Sequence, residues 1–191
     1  MQRKPSSSLK NMILAMVTVS GLSAIILALS YNLTKNPIAE AQDNKKLEAI
    51  AEVLHGEYDN NPYQERIKLS GTNLELYPAR KEGKVTSIAI KSYSNNAFSG
   101  KLELIVGFTL DGTITDYKVI NHKETPGLGS KVTEPKFANQ LKGFNVAAQE
   151  LKVRQDGGEI DAVTSATISS RAVLDAIQRA FDSYIKFNLG N

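Results

Sequence analysis

Met12 to Tyr31 reads MILAMVTVSGLSAIILALSY, twenty residues without one charge. A helix of ~20 residues rises about 30 Å, the thickness of a bilayer core. Gly21 and the hydroxyl residues are tolerated in such a helix. Tyr31 stands where an interfacial aromatic belongs, and Arg3, Lys4 and Lys10 all precede the span. The positive-inside bias puts the N-terminus in the cytoplasm and the rest of the chain across the membrane. A cleavable signal peptide is the competing reading, with Ala28-Leu29-Ser30 as its cleavage site. The apolar run is longer than a signal core of ~7–15 residues, which favours an uncleaved, single-pass anchor.

Charge splits along the same line. Residues 1–31 hold three basic residues and no acid, so the net +3 of the whole chain sits there. The other 160 residues carry 20 basic and 20 acidic side chains. The basic pI therefore describes an arm, and no nucleic-acid footprint is expected. With 191 residues and 41% hydrophobic content, there is material for one domain with a core. No cysteine is present, which excludes disulfides, Cys-held clusters and a thiol nucleophile. His55 and His122 are the two histidines. A His122/Glu124 metal pair would lack further ligands, so no metal site is expected.

The expected organisation is a basic arm (1–11), a transmembrane helix (12–31), a helical stalk (32–56) and one extracytoplasmic domain (57–191). Within the stalk, Pro37 is expected at the first turn of a helix over 37–55, and Ile38, Leu47, Ile50, Val53 and Leu54 recur at near-helical spacing up to Gly56. From Leu74 the period changes to that of strands. Segments 74–77, 85–90, 101–110 and 113–121 predict three or four consecutive antiparallel strands. Asp111-Gly112 marks a hairpin. A helix over 134–142, a short strand at 149–155 and a turn at Asp156-Gly157-Gly158 follow. The final helix, about Ser169 to Lys186, should bury Val173, Leu174, Ile177, Phe181, Tyr184 and Ile185. Helices packed on a mainly antiparallel sheet, an α+β fold, is the class implied.

Two stretches carry chemistry. Asp161-Ala-Val-Thr164-Ser165-Ala166-Thr167-Ile-Ser169-Ser170 is rich in hydroxyls and ends at a helix N-terminus. Unpaired N–H groups and the helix dipole favour a phosphate there, with Thr167 one or two residues before the helix. Thr and Ser are also the preferred capping residues, so a plain N-cap is the alternative. His122-Lys123-Glu124-Thr125-Pro126-Gly127-Leu128-Gly129 follows a strand. Its proline and glycines let the backbone approach a flat ligand closely, or simply turn the chain.

Together, in this order and behind an anchor, these motifs resemble the FMN-binding domain of bacterial respiratory flavoproteins. The similarity is greatest to the G subunit of the Rnf (Rsx) electron transport complex. It is more distant to the C subunit of the sodium-translocating NADH:quinone reductase. The resemblance implies FMN joined through its phosphate to Thr167 as a phosphoester. It places Thr164, Ser165 and Ala166 in the attachment motif, with Ser165 where glycine is common. Asp161 belongs to the pattern read by the flavin transferase that attaches FMN, with FAD as donor. The 122–129 loop would line the isoalloxazine, with Glu124, Thr125, Gly127 and Leu128 as contacts and His122 at its edge. The function implied is an inner-membrane electron carrier among the other subunits of a complex coupling ferredoxin/NAD electron transfer to ion translocation. No nucleophile–base pair and no GxGxxG opening a βαβ unit is present, so no catalytic residue and no independent activity are expected. The flavin would carry the redox chemistry in this part of a translocase. The alternatives are a quinone-reductase component or free-standing flavoprotein, and an anchored binding module without flavin.

Overall fold

A computed structural model describes residues 8–69 and 71–189, with side chains to 186. The chain divides into two bodies, residues 1–44 and 45–191.

In the first body the described residues after Ser8 belong to one helix. α1 runs Leu9–Val53 and continues into the second body. It is long and apolar enough to cross a membrane. Its large side chains from Met12 to Leu33 are uncovered by protein. The hydroxyls of Thr18 and Thr34 donate to Ala15 O (3.0 Å) and Ser30 O (2.8 Å) of their own helix. Polar groups satisfied within a helix suit hydrocarbon surroundings. Pro37 was expected at a first helical turn and instead lies inside the continuous helix. Its ring removes one backbone donor there. Ile38 and Leu47 are exposed, so the apolar positions of this stretch do not form one buried stripe.

The second body is built on a five-stranded antiparallel meander in chain order: β1 Ile67–Lys68, β2 Glu75–Lys81, β3 Lys84–Ala97, β4 Gly100–Thr109 and β5 Ile114–Asn121. Alternation along the strands gives the sheet two apolar faces. Leu76, Ile90, Leu104, Val106 and Phe108 point to one face. Tyr77, Ala79, Ala89 and Ile105 point to the other, where the end of α1 packs through Ala49, Ile50 and Val53. The first face is covered by α3, Thr167–Leu189, through Val173, Leu174, Ile177, Phe181 and Tyr184. Ile185, expected in that stripe, is 39% exposed. By then α3 has reached the end of β4, where the Tyr184 hydroxyl donates to Leu110 O at 3.2 Å.

Three further expectations need correction. The helix over 134–142 is one turn, α2 Pro135–Ala138. Beyond it the bonds tighten to the i→i−3 pattern, Gln140 N–H to Phe137 O and Leu141 N–H to Ala138 O. The strand at 149–155 is reduced to one bridge, Val153 with Ile160. Gly157, at φ +86°, turns the chain back so that Gly158 N–H reaches Val153 O at 3.1 Å. The last helix starts at Thr167, two residues earlier than expected.

Candidate functional site

Three chain segments meet beside the start of α3. The first is the two-residue turn Phe98–Ser99 between β3 and β4, closed by the Ala97–Gly100 pair. The second is the loop after β5. The third is Ser165 to Ser169. They enclose a cavity of about 330 Å³ lined by Phe98, Glu124, Thr125, Leu128, Gly129 and residues 165–169.

The loop after β5 is held by its own short bonds. Glu124 N–H donates to His122 Nδ1 (3.2 Å), and Leu128 N–H to Thr125 O (3.2 Å). Gly127 N–H donates to Ser130 Oγ (2.9 Å), its φ of +74° making the bend. Glu124 is buried. Its Oε1 accepts from Ser99 N–H at 2.9 Å and its Oε2 from the Ser169 hydroxyl. Gly129 is buried against this contact.

The segment before α3 is fixed from both ends. Val163 N–H donates to Ser170 Oγ (2.9 Å), and the Ser170 hydroxyl donates to Ala166 O (3.0 Å). Ser165 sits at φ +62°, a conformation that favours glycine. Ala166 takes the N-cap place, its carbonyl accepting the Ser170 N–H at 3.0 Å. Alanine has no side-chain acceptor to offer, so the expected Ser/Thr cap is not what occupies this position. The N–H groups of Thr167, Ile168 and Ser169 precede that first helical bond and point out of the helix end. Thr167 is half-buried and lines the cavity at this positive end of the helix dipole.

The structure therefore brings Glu124, Thr125 and Leu128 together with Ser165, Ala166 and Thr167. Gly127 and His122 shape the loop but do not line the cavity. Asp161 and Thr164 lie on a second cavity of about 520 Å³, with Lys131, Glu134, Lys136, Phe137 and Gln140. Asp161 is exposed and pairs with Arg154 Nε at 2.7 Å. Gln140 brackets its backbone, accepting from Asp161 N–H (2.8 Å) and donating to Asp161 O (3.2 Å). Nearby, Arg171 grips both oxygens of Asp156 at 2.7 Å, which holds that carboxyl below the usual range.

Sequence reasoning missed Phe98 and, within the two motifs, assigned no site role to Gly129, Ile168 or Ser169. Phe98 and Ile168 are exposed apolar side chains on the cavity. The signal for Phe98 was an aromatic at a turn, where polar residues are usual.

An apolar wall facing a helix N-terminus and a free-standing hydroxyl suits a flat ring carrying a phosphate. That class is matched by comparison: the family model of the FMN-binding domain covers residues 97–182. The G subunit of the ion-translocating oxidoreductase complex of Vibrio cholerae is 33% identical over 174 residues, 84% of this chain and 83% of that protein. The G subunit of the same complex from Methanosarcina acetivorans is 33% identical over 181 residues, 93% of this chain and 95% of that protein. The C subunit of the Na(+)-translocating NADH-quinone reductase of Parabacteroides distasonis shares the fold. It has a TM-score of 0.50 at 17% identity over 78% of this chain and 92% of that one. The chain belongs to the family of G subunits of ion-translocating oxidoreductase complexes.

Proposed function

We propose that this chain is a membrane-anchored electron carrier of an Rnf-type complex, with FMN held as a phosphoester on Thr167. One observation carries the reading: the 124–129 loop and the Ser165–Thr167 segment, far apart in sequence, line one cavity. Thr167 would hold the phosphate at the start of α3, where unpaired N–H groups and the helix dipole stabilise negative charge. Phe98, Leu128, Ala166 and Ile168 would offer apolar contact to the ring and keep water from it. When bound, FMN supplies the electron-carrying chemistry, and the protein sets its position and potential.

In maturation the Thr167 Oγ would take the FMN phosphoryl group from FAD. A new O–P bond forms, the pyrophosphate bond breaks, and AMP leaves. Asp161, Thr164, Ser165 and Ala166 would be read by the flavin transferase. The exposure of Asp161 is compatible with such recognition. By the positive-inside bias, the basic residues before the span support an N-terminus inside and a flavin domain on the periplasmic side. There a covalent link keeps the cofactor from being lost. The partners would be the other subunits of the complex, which couples ferredoxin/NAD electron transfer to ion movement.

The test is the intact mass of the full chain, co-expressed with a flavin transferase and denatured before measurement. A gain of FMN less one water, absent from Thr167→Val, is expected. An unmodified chain beside a modified control protein sinks the reading.

A further inference from the structure

Glu124 joins three separate segments. It is 5% exposed, and both its oxygens are engaged. Oε1 accepts from Ser99 N–H in the β3–β4 turn, 2.9 Å away. Oε2 accepts from the Ser169 hydroxyl in the first turn of α3. Phe98, the neighbour of Ser99, lines the cavity with Thr167 yet is 68% exposed. Such a turn has little packing of its own, and segments of this kind open at low free energy. A buried carboxylate is retained only where hydrogen bonds offset its desolvation. Here those bonds run to the two walls of the cavity.

We infer that Glu124 is a positioning residue. It fixes the β3–β4 turn against the start of α3, and so places the Phe98 ring as the wall that a ring system in the cavity packs against. The role of Phe98 rests on the FMN reading of this cavity. The clamp itself belongs to the chain with or without cofactor. Glutamine at 124 can accept from Ser99 N–H and donate to Ser169 Oγ, because a hydroxyl does both. Leucine can do neither.

The chain contains no tryptophan, so Phe98→Trp installs a single indole reporter on the turn. The full chain in detergent, carrying this reporter, is measured with and without flavin loading, with Glu124 intact and as Glu124→Gln and Glu124→Leu. Without flavin, the indole anisotropy should drop in the Leu form and stay near the parent in the Gln form. With leucine both hydrogen bonds are lost, and the turn should open about tenfold more often. With flavin, the indole should be quenched in the parent and Gln forms and regain emission in the Leu form at equal flavin mass. If Glu124→Leu does not fold, Ser169→Ala decides, since it breaks the link to α3 while Glu124 keeps its bond from Ser99 N–H. Equal anisotropy and quenching in all forms, or a loss in Gln as large as in Leu, overturns the inference. A parent chain without flavin mass would refute the cofactor reading instead, and the unloaded anisotropies would still decide the clamp.

Discussion

Gly129 and Ser169 stand so close that a methyl group on the glycine would lie 2.7 Å from the Ser169 hydroxyl oxygen. It would also run into the Glu124 carboxylate that accepts from that hydroxyl. The backbone of Gly129 is not in the left-handed region, so its constraint is space. Gly127 presents the opposite case, with φ at +74° and open space around a Cβ. Gly129→Ala should cost about 1–3 kcal/mol by overpacking. Gly127→Ala should cost about 1 kcal/mol from backbone conformation. Denaturant unfolding of both variants tests the ranking. Only Gly129→Ala should also disturb a reporter on the β3–β4 turn, because only it pushes on Glu124.

Ser165 is a non-glycine residue at φ +62°, two positions before Thr167. Glycine relieves the Cβ penalty there but frees the unfolded chain, and the two effects oppose each other. Ser165→Gly should leave stability within about 1 kcal/mol of the parent. Ser165→Val, β-branched in the same conformation, should lose more than about 1 kcal/mol. Flavin mass on Thr167 should follow the same order, since the φ of 165 sets where the helix begins. A Val variant as stable and as fully loaded as the parent would show that this backbone geometry is not needed.

The strands were legible because Leu74–Tyr77 alternates and the stretches 85–90, 101–110 and 113–121 are rich in strand-forming residues, as suits a sheet buried on both faces. Asp111-Gly112 marked its hairpin, with Gly112 at φ +86°. The loop after β5 and the start of α3 were legible as separate motifs. That they share a cavity was not, because β4, β5 and α3 meet only in the folded sheet. Asp161 and Thr164 were grouped with Thr167 by sequence, yet face another cavity, since the chain turns at Ser165. Ser99-Gly100 is a turn-marking pair, with Gly100 at the positive φ, but the apolar Ala97-Phe98 just before it masks the turn Phe98–Ser99 in sequence. The short helix at Pro135 was over-read because Phe137 and Leu141 keep helical spacing while the bonds have already become i→i−3.

Gly107 in β4 is another glycine whose reason lies in packing. A Cβ there would run into Val53 O and the Thr115 hydroxyl. The Thr115 hydroxyl donates to Val53 O at 2.5 Å, which ends the last turn of α1 on the sheet. Glycine within a strand often marks such close approach. Gly107→Ala should cost about 1–3 kcal/mol. Thr115→Val should cost about 1–2 kcal/mol through the carbonyl left unpaired. Both should raise amide exchange at residues 50–54 before the rest of the domain responds. Exchange that rises evenly across the sheet would argue against a local role.

Two buried phenols should make the domain lose stability at alkaline pH. Tyr117 is buried, and its hydroxyl donates to Val132 O. Tyr77 is buried and donates to Glu75 Oε2 at 2.7 Å. Burial, then the hydrogen bond to Glu75, drives the Tyr77 phenol far above its ordinary value. Burial, then the Asp116 charge, does the same for Tyr117. In the unfolded chain both would ionise near pH ~10. Below that pH both states hold the protons and stability is unaffected. Above it the unfolded state binds fewer protons than the native one, so stability falls as pH rises toward the folded values. Each group contributes a slope of about 1.4 kcal/mol per pH unit, so the pair gives roughly 2.7. Denaturant unfolding between pH ~9 and ~12 should show a flat region followed by this decline. In Tyr117→Phe the slope should halve, although the starting stability is lower by about 1 kcal/mol for the lost hydrogen bond. A stability that stays level across that range, or an unchanged slope in the variant, would show that the phenols ionise without unfolding the domain.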